Sequence, residues 1–206
     1  MRLLTLLLIA ISITAIAQYK PEEFQAGLLQ AKYGAMLVYN GQKNSFTLKF
    51  VFKSVEPTER PNFVRVDGSL MQSTLFPIHK EYDFASLTEE EQKIVLQNWK
   101  LYEKKWVEDQ LKSKLNEKEE FLKINDKLCL YWSYDMPTKK DDPYAVVKQM
   151  YLVTLCFDQT LVLNGPIEKG KSEIELRNKL TSVAKTLELK AGQVLDMKSL
   201  YYELKP

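Results

Sequence analysis

Large apolar residues alternate with smaller or polar ones from Phe46 to Lys53. Phe46, Leu48, Phe50 and Phe52 stand against Thr47, Lys49, Val51 and Lys53. A period of two predicts a strand with one aromatic face buried. Lys127 to Tyr134 repeats the pattern, with Leu128, Leu130, Trp132 and Tyr134 on one side. Ala145 to Phe157 is an apolar run of strand length, and Thr160 to Leu163 reads as a further strand ended by Asn164-Gly165-Pro166. Phe63 to Val66 is a short strand closed by Asp67-Gly68, and Met71 to Ile78 is extended with a break at Pro77. Residues 54–62, with Pro57 and Pro61, form a loop.

The period changes after Thr88. Thr88-x-x-Glu91 is a capping box, in which the hydroxyl and the carboxylate each satisfy an orphan backbone N–H. Val95, Trp99, Tyr102 and Trp106 then recur at four, three and four residues, and Val107, Leu111 and Leu115 continue the stripe. Lys93, Lys100, Glu103, Lys104, Glu108 and Lys112 fall opposite. This predicts one long amphipathic helix near 88–122, with a break at Asn116 left open, and places Trp99 and Trp106 together in the core. A second helix carries Leu176, Leu180, Val183, Ala184 and Leu187 on one stripe, starts at the box Ser172-x-x-Glu175 and ends before Gly192. Pro21 to Tyr39 is ambiguous. Pro21-Glu22-Glu23 has the composition of a helix start, while Ala35 to Tyr39 suits a strand entering a turn at Asn40-Gly41.

Strands joined by short loops pair antiparallel, and helices then cover the sheet. The expected class is therefore α+β, a largely antiparallel sheet flanked by helices, with 18–206 as one domain.

The first residues change the picture of where the chain works. Arg2, the apolar run Leu3 to Ile13 and Ala15-Ile16-Ala17 are the three parts of a secretory signal peptide. Cleavage after Ala17 gives a mature chain starting at Gln18, periplasmic or secreted. No later apolar run reaches the length of a membrane span. The net charge of +2, with Lys and Glu interspersed, shows no basic stripe for nucleic acid.

Candidate chemistry is sparse. Gly165 to Ser172 matches the phosphate-loop pattern G-x-x-x-x-G-K-[ST], with Lys171 and Ser172 in the ligand positions. The motif lies too near the C-terminus for the parallel sheet it normally serves. A turn at 164–166 followed by the Ser172 cap explains every residue, and nucleotide binding is rejected. His79 is the one histidine, and no Cys-x-x-Cys occurs, so no usual zinc site is present. Cys129 and Cys156 fall on strands and are read as small core residues. A hairpin closed by the loop around Pro137 to Pro143 would set them roughly opposite, which leaves a disulfide open. A Cys–His pair with His79 is conceivable, but strand-core thiols are inert. Asp141-Asp142 beside Lys139-Lys140 reads as a solvated hairpin tip, without the spaced oxygens of a calcium loop. No residue is assigned a catalytic, cofactor-binding or metal-ligating role, and no cofactor is implied.

Lys148-Gln149-Met150-Tyr151-Leu152-Val153-Thr154, then Leu161-Val162-Leu163-Asn164, then the helix ending Ala184-Lys185-Thr186-Leu187, resembles the closing strand–strand–helix unit of PsbP-like α/β/α domains. It also resembles small exported proteins of Bacteroidetes-type bacteria. The likeness covers about 146–187, is mostly apolar pattern, and transfers no functional residue. It implies an antiparallel sheet with flanking helices and a binding or assembly role. The expected function is an exported non-catalytic module that binds an unknown protein or envelope partner. The alternative is a small envelope hydrolase or transferase with a carboxylate- or Cys-based site.

Overall fold

The computed structural model describes residues 19–137, 142 and 145–205. The expected signal segment 1–17 lies outside them, as do Lys139, Lys140 and Asp141. In chain order the elements are β1 (Gln25–Ala31), β2 (Gly34–Asn40), β3 (Ser45–Val51), β4 (Val55–Pro57), β5 (Phe63–Val66) and β6 (Ser69–Pro77). The helix α1 (Glu89–Leu111) leads to β7 (Glu117–Ile124), β8 (Lys127–Asp135), β9 (Val146–Cys156) and β10 (Gln159–Glu168). The chain closes with α2 (Glu173–Ala184), β11 (Glu188–Lys190) and α3 (Met197–Leu204). The α+β class expected from the pattern is present.

The strands form two sheets, ordered β1-β2-β3-β11 and β4-β5-β6-β10-β9-β8-β7, with every pair antiparallel. The main core lies where they face each other. Phe46, Leu48 and Phe50 of β3 meet Tyr131, Leu152, Leu161 and Leu163 of the larger sheet, and α2 closes that core with Leu176, Leu180 and Val183. A second cluster sits on the far side of the larger sheet, where α1 packs on β8 and β9 through Leu96, Trp99 and Val107.

Four boundaries differ from the sequence reading; one is β4, which lies inside the 54–62 segment expected to be a loop and pairs with β5. Residues 21–31 hold no helix; the chain enters β1 directly. The groups that would start a helix are engaged at a distance. The Glu22 carboxylate accepts the backbone N–H groups of Lys43 and Asn44 at 2.6 and 3.1 Å, and the Glu22 N–H donates to Asp158 at 2.6 Å. Burial pushes the Glu22 carboxyl up, but these hydrogen bonds outweigh it and hold its pKa below the usual value. The long helix is present and capped by the Thr88–Glu91 box, but it ends at Leu111, with Lys112 left-handed at φ 54°. The expected extension to residue 122 is instead β7, whose Leu122 and Ile124 face the main core while Glu117 and Glu119 face α1.

Asn164-Gly165-Pro166 does not end a strand. β10 runs through it to Glu168, pairing Gly165 with Met150 and Pro166 with Gln149. Pairing with β6 stops at Asn164, so Pro166 sits where that flank is already a free edge. A Cβ on Gly165 would lie 2.6 Å from the Leu70 carbonyl oxygen and 3.1 Å from Leu176. Glycine is needed there for close approach of β6 and α2.

Candidate functional site

α1 covers β8 and β9 but leaves the same face of β10 and β6 partly open. A groove of about 440 Å³ follows this step. Its helix wall is Trp99, Tyr102, Glu103 and Trp106, and Tyr151 and Phe76 face them from the sheet. A neighbouring cavity of about 680 Å³ shares Phe76, Trp99 and Tyr102 and extends toward His79 and Tyr82. Both volumes fall in the range of ordinary ligand sites.

The walls are built from an aromatic stack. Trp99 meets Phe76 and Tyr151 at ring-centre distances of 5.9 Å each and stands edge-on to Trp132 at 6.1 Å. Trp132 stacks on Tyr151 at 4.8 Å, and the hydroxyls of Tyr134 and Tyr151 lie 3.1 Å apart. Trp99 is 7% exposed, whereas Trp106 is 55% and Tyr102 70% exposed. The expectation that Trp99 and Trp106 are both core thus holds for the first alone. The buried stripe of α1 includes Leu96, Lys100 and Val107, so it lies further round the helix than Tyr102 and Trp106.

The floor is polar although its strands are apolar. Gln149 Nε2 donates to Asn164 Oδ1 at 2.9 Å, and Asn164 Nδ2 donates to Gln72 Oε1 at 3.1 Å. This amide row crosses β9, β10 and β6. Beside it, buried Thr74 Oγ1 and Trp99 Nε1 make no hydrogen bond with a described residue. Glu103 is the sole carboxyl among the described residues lining the two cavities. It makes no hydrogen bond or ion pair with a described residue, and burial alone raises its pKa.

The opposite flank of α1 is ionic. Buried Lys100 pairs with Glu119 and with Glu117 (3.4 Å), and Lys104 pairs with Glu117. Trp132 Nε1 donates to Glu117 at 2.8 Å. These contacts clamp α1 to β7 and turn both lysines away from the groove.

The sequence candidates do not converge. His79 is exposed just past β6 and lines the edge of both the cavity of about 680 Å³ and one under Tyr19 to Phe24. Cys129 and Cys156 are buried and free. They are not opposite each other: Cys129 pairs with Thr154 across β8–β9, and Cys156 pairs with Gln159. Burial pushes the Cys129 thiol up to about 11 and Cys156 higher still, so neither is a thiolate at neutral pH. Gly165 to Glu168 of the phosphate-loop match is strand, Lys171 is exposed, and Ser172 caps α2 by accepting the Glu175 N–H at 3.3 Å. Of the charged hairpin tip, only Asp142 is described. Among the described residues no helix is long and apolar enough to cross a membrane, and no three His, Cys, Asp or Glu side chains group as metal ligands.

Gln72, Thr74, Glu103, Gln149 and Asn164 were not singled out from sequence. The available signal was the polar residue placed on one side of otherwise apolar strands: Gln72 and Thr74 in β6, Gln149 in β9 and Asn164 in β10.

No family model matches the chain, and no curated protein matches it. Among solved structures, it is similar to the solution structure of cyanobacterial PsbP (CyanoP) from Synechocystis sp. PCC 6803. The two are 10% identical, the match covers 78% of this chain and 94% of that one, and the TM-score is 0.43. No residue role passes from it to this chain.

Proposed function

We propose that the chain is an exported, non-catalytic binding module whose ligand lies in the groove between α1 and the open face of β10 and β6. The observation that carries this reading is the pair Tyr102 and Trp106. Large rings left in water beside a polar-floored cleft are a feature of binding surfaces rather than of a closed core. The proposed setting is the periplasm or exterior of a bacterium, in line with the Ala15-Ile16-Ala17 signal and the likeness to exported Bacteroidetes-type proteins. In this groove the hydrolase or transferase alternative has a single described carboxyl, Glu103. General acid–base work needs a second positioned group, and the nearby Tyr134 and Tyr151 hydroxyls are themselves pushed up by burial.

A neutral fluorophore, N-phenyl-1-naphthylamine, tests the groove. Wild type should bind it, and the double variant Tyr102→Ala/Trp106→Ala should not, with an unchanged thermal midpoint. Equal binding to both would place the probe elsewhere and remove the support for this site. Export is tested separately: N-terminal sequencing of the mature chain should begin at Gln18, and a retained Met1 would refute it.

A further inference from the structure

We propose that the groove takes an organic cation, an ammonium bearing apolar substituents, with the Glu103 carboxylate as its counter-ion and the rings of Trp99, Tyr102 and Trp106 around it. This rests on the groove reading above and names the ligand class.

Charge comes first. Glu103 is half-buried and makes no hydrogen bond or ion pair with a described residue, whereas Lys100 and Lys104 of α1 are committed elsewhere: Lys100 to Glu117 and Glu119, Lys104 to Glu117. Among the described residues no Lys or Arg lines this groove, and Glu103 is the one charged side chain there. The site therefore complements a cation.

The walls add to this. Trp99, Tyr102 and Trp106 surround position 103 on successive turns of α1, with Tyr151 and Phe76 facing them. Aromatic faces attract cations, most strongly where water is excluded. A small inorganic cation would need several converging oxygens, and one carboxylate does not supply them. An alkylated ammonium needs only a counter-ion and apolar walls.

The floor is polar and uncharged. Gln149, Asn164 and Gln72 are held in a row by two hydrogen bonds to one another. Gln149 Oε1 and Gln72 Nε2 make no hydrogen bond with a described residue and remain for one ligand hydroxyl, whereas the orphaned Thr74 Oγ1 and Trp99 Nε1 are closed off by burial. Choline, a quaternary ammonium with one hydroxyl, is accordingly the first probe.

Choline, benzyltrimethylammonium and the neutral isostere 3,3-dimethylbutan-1-ol are titrated against the full mature chain by tryptophan fluorescence. The cations should bind at least about tenfold more tightly than the alcohol. Glu103→Gln should weaken cation binding by at least about tenfold, leave naphthylamine binding intact and leave the thermal midpoint no lower than that of wild type. Equal affinity for alcohol and choline, retention of cation binding by Glu103→Gln, or no cation binding by a wild type that still binds the naphthylamine would each overturn the cation assignment while sparing the groove. Tight binding of cello-oligosaccharides, lost in Trp106→Ala, would assign the groove to a sugar instead. Naphthylamine binding that ignores Tyr102 and Trp106 would overturn the groove itself, and this inference with it.

Discussion

Trp99 and Trp106 stand seven residues apart on one helix and meet opposite surroundings. Trp99 is wedged among Phe76, Trp132 and Tyr151, and Trp106 faces water at the groove wall. Trp99→Ala should therefore cost about 3–5 kcal/mol, and Trp106→Ala under about 0.5 kcal/mol; urea denaturation of the two variants checks this. Glu103 gives a second residue-scale expectation. Burial raises its pKa, so the folded state holds the proton more tightly than the unfolded chain. The favourable contribution is complete below the unfolded pKa of about 4.3 and is lost as pH rises through the raised folded value. Glu103→Gln should match wild type in stability near pH 4 and exceed it near pH 7, and thermal melts across that window will show it. The apolar period of α1 was legible, but its buried centre was not. Lys100 counts as polar in any pattern, yet two glutamates on a strand read as helix satisfy its charge and let it lie buried.

α1 is held as an element by polar contacts to β7 as much as by its apolar stripe. Glu117 accepts from Lys104 and from Trp132 Nε1 and lies 3.4 Å from Lys100. Glu117→Gln keeps an acceptor for the indole, whereas Glu117→Ala leaves it unpaired, so alanine should be the worse variant by about 1–3 kcal/mol. Guanidinium denaturation of both separates the charge from the hydrogen bond. On α2, Ser172→Ala should cost about 1 kcal/mol through the lost N-cap, and Lys171→Ala should change nothing. The caps of α1 and α2, the β8 and β9 hairpin and the alternating β3 were all readable, because each is decided by residues close in sequence. The β7 strand and the passage of β10 through Gly165-Pro166 were not. Glu117 and Glu119 are used by a helix behind them, and Gly165 is required by the Leu70 backbone and Leu176, contacts with no trace in local pattern. The groove has the same cause, since its floor comes from three strands.

Both sheets and α2 contribute to one continuous core, whereas α1 adds a second cluster on the outer face. All three tryptophans belong to the α1 side of the larger sheet. Because β8 and β9 serve both clusters, the two should unfold together. Tryptophan emission and far-ultraviolet dichroism should give coincident urea transitions; earlier loss of the tryptophan signal would show the α1 layer melting alone. The sheet borders carry a further consequence. Among the described residues the two open sheets leave four outer strands: β1, β11, β4 and β7. β4 and β11 are three residues long, and β7 holds Glu117, Lys118, Glu119, Glu120 and Lys123. Short or charged borders resist the addition of a foreign strand. β1, seven residues long and uncharged from Gln25 to Ala31, has neither protection. At high concentration it is the border along which copies of this chain would zip together into aggregates, and a lysine at Leu29 is the change that should keep them apart.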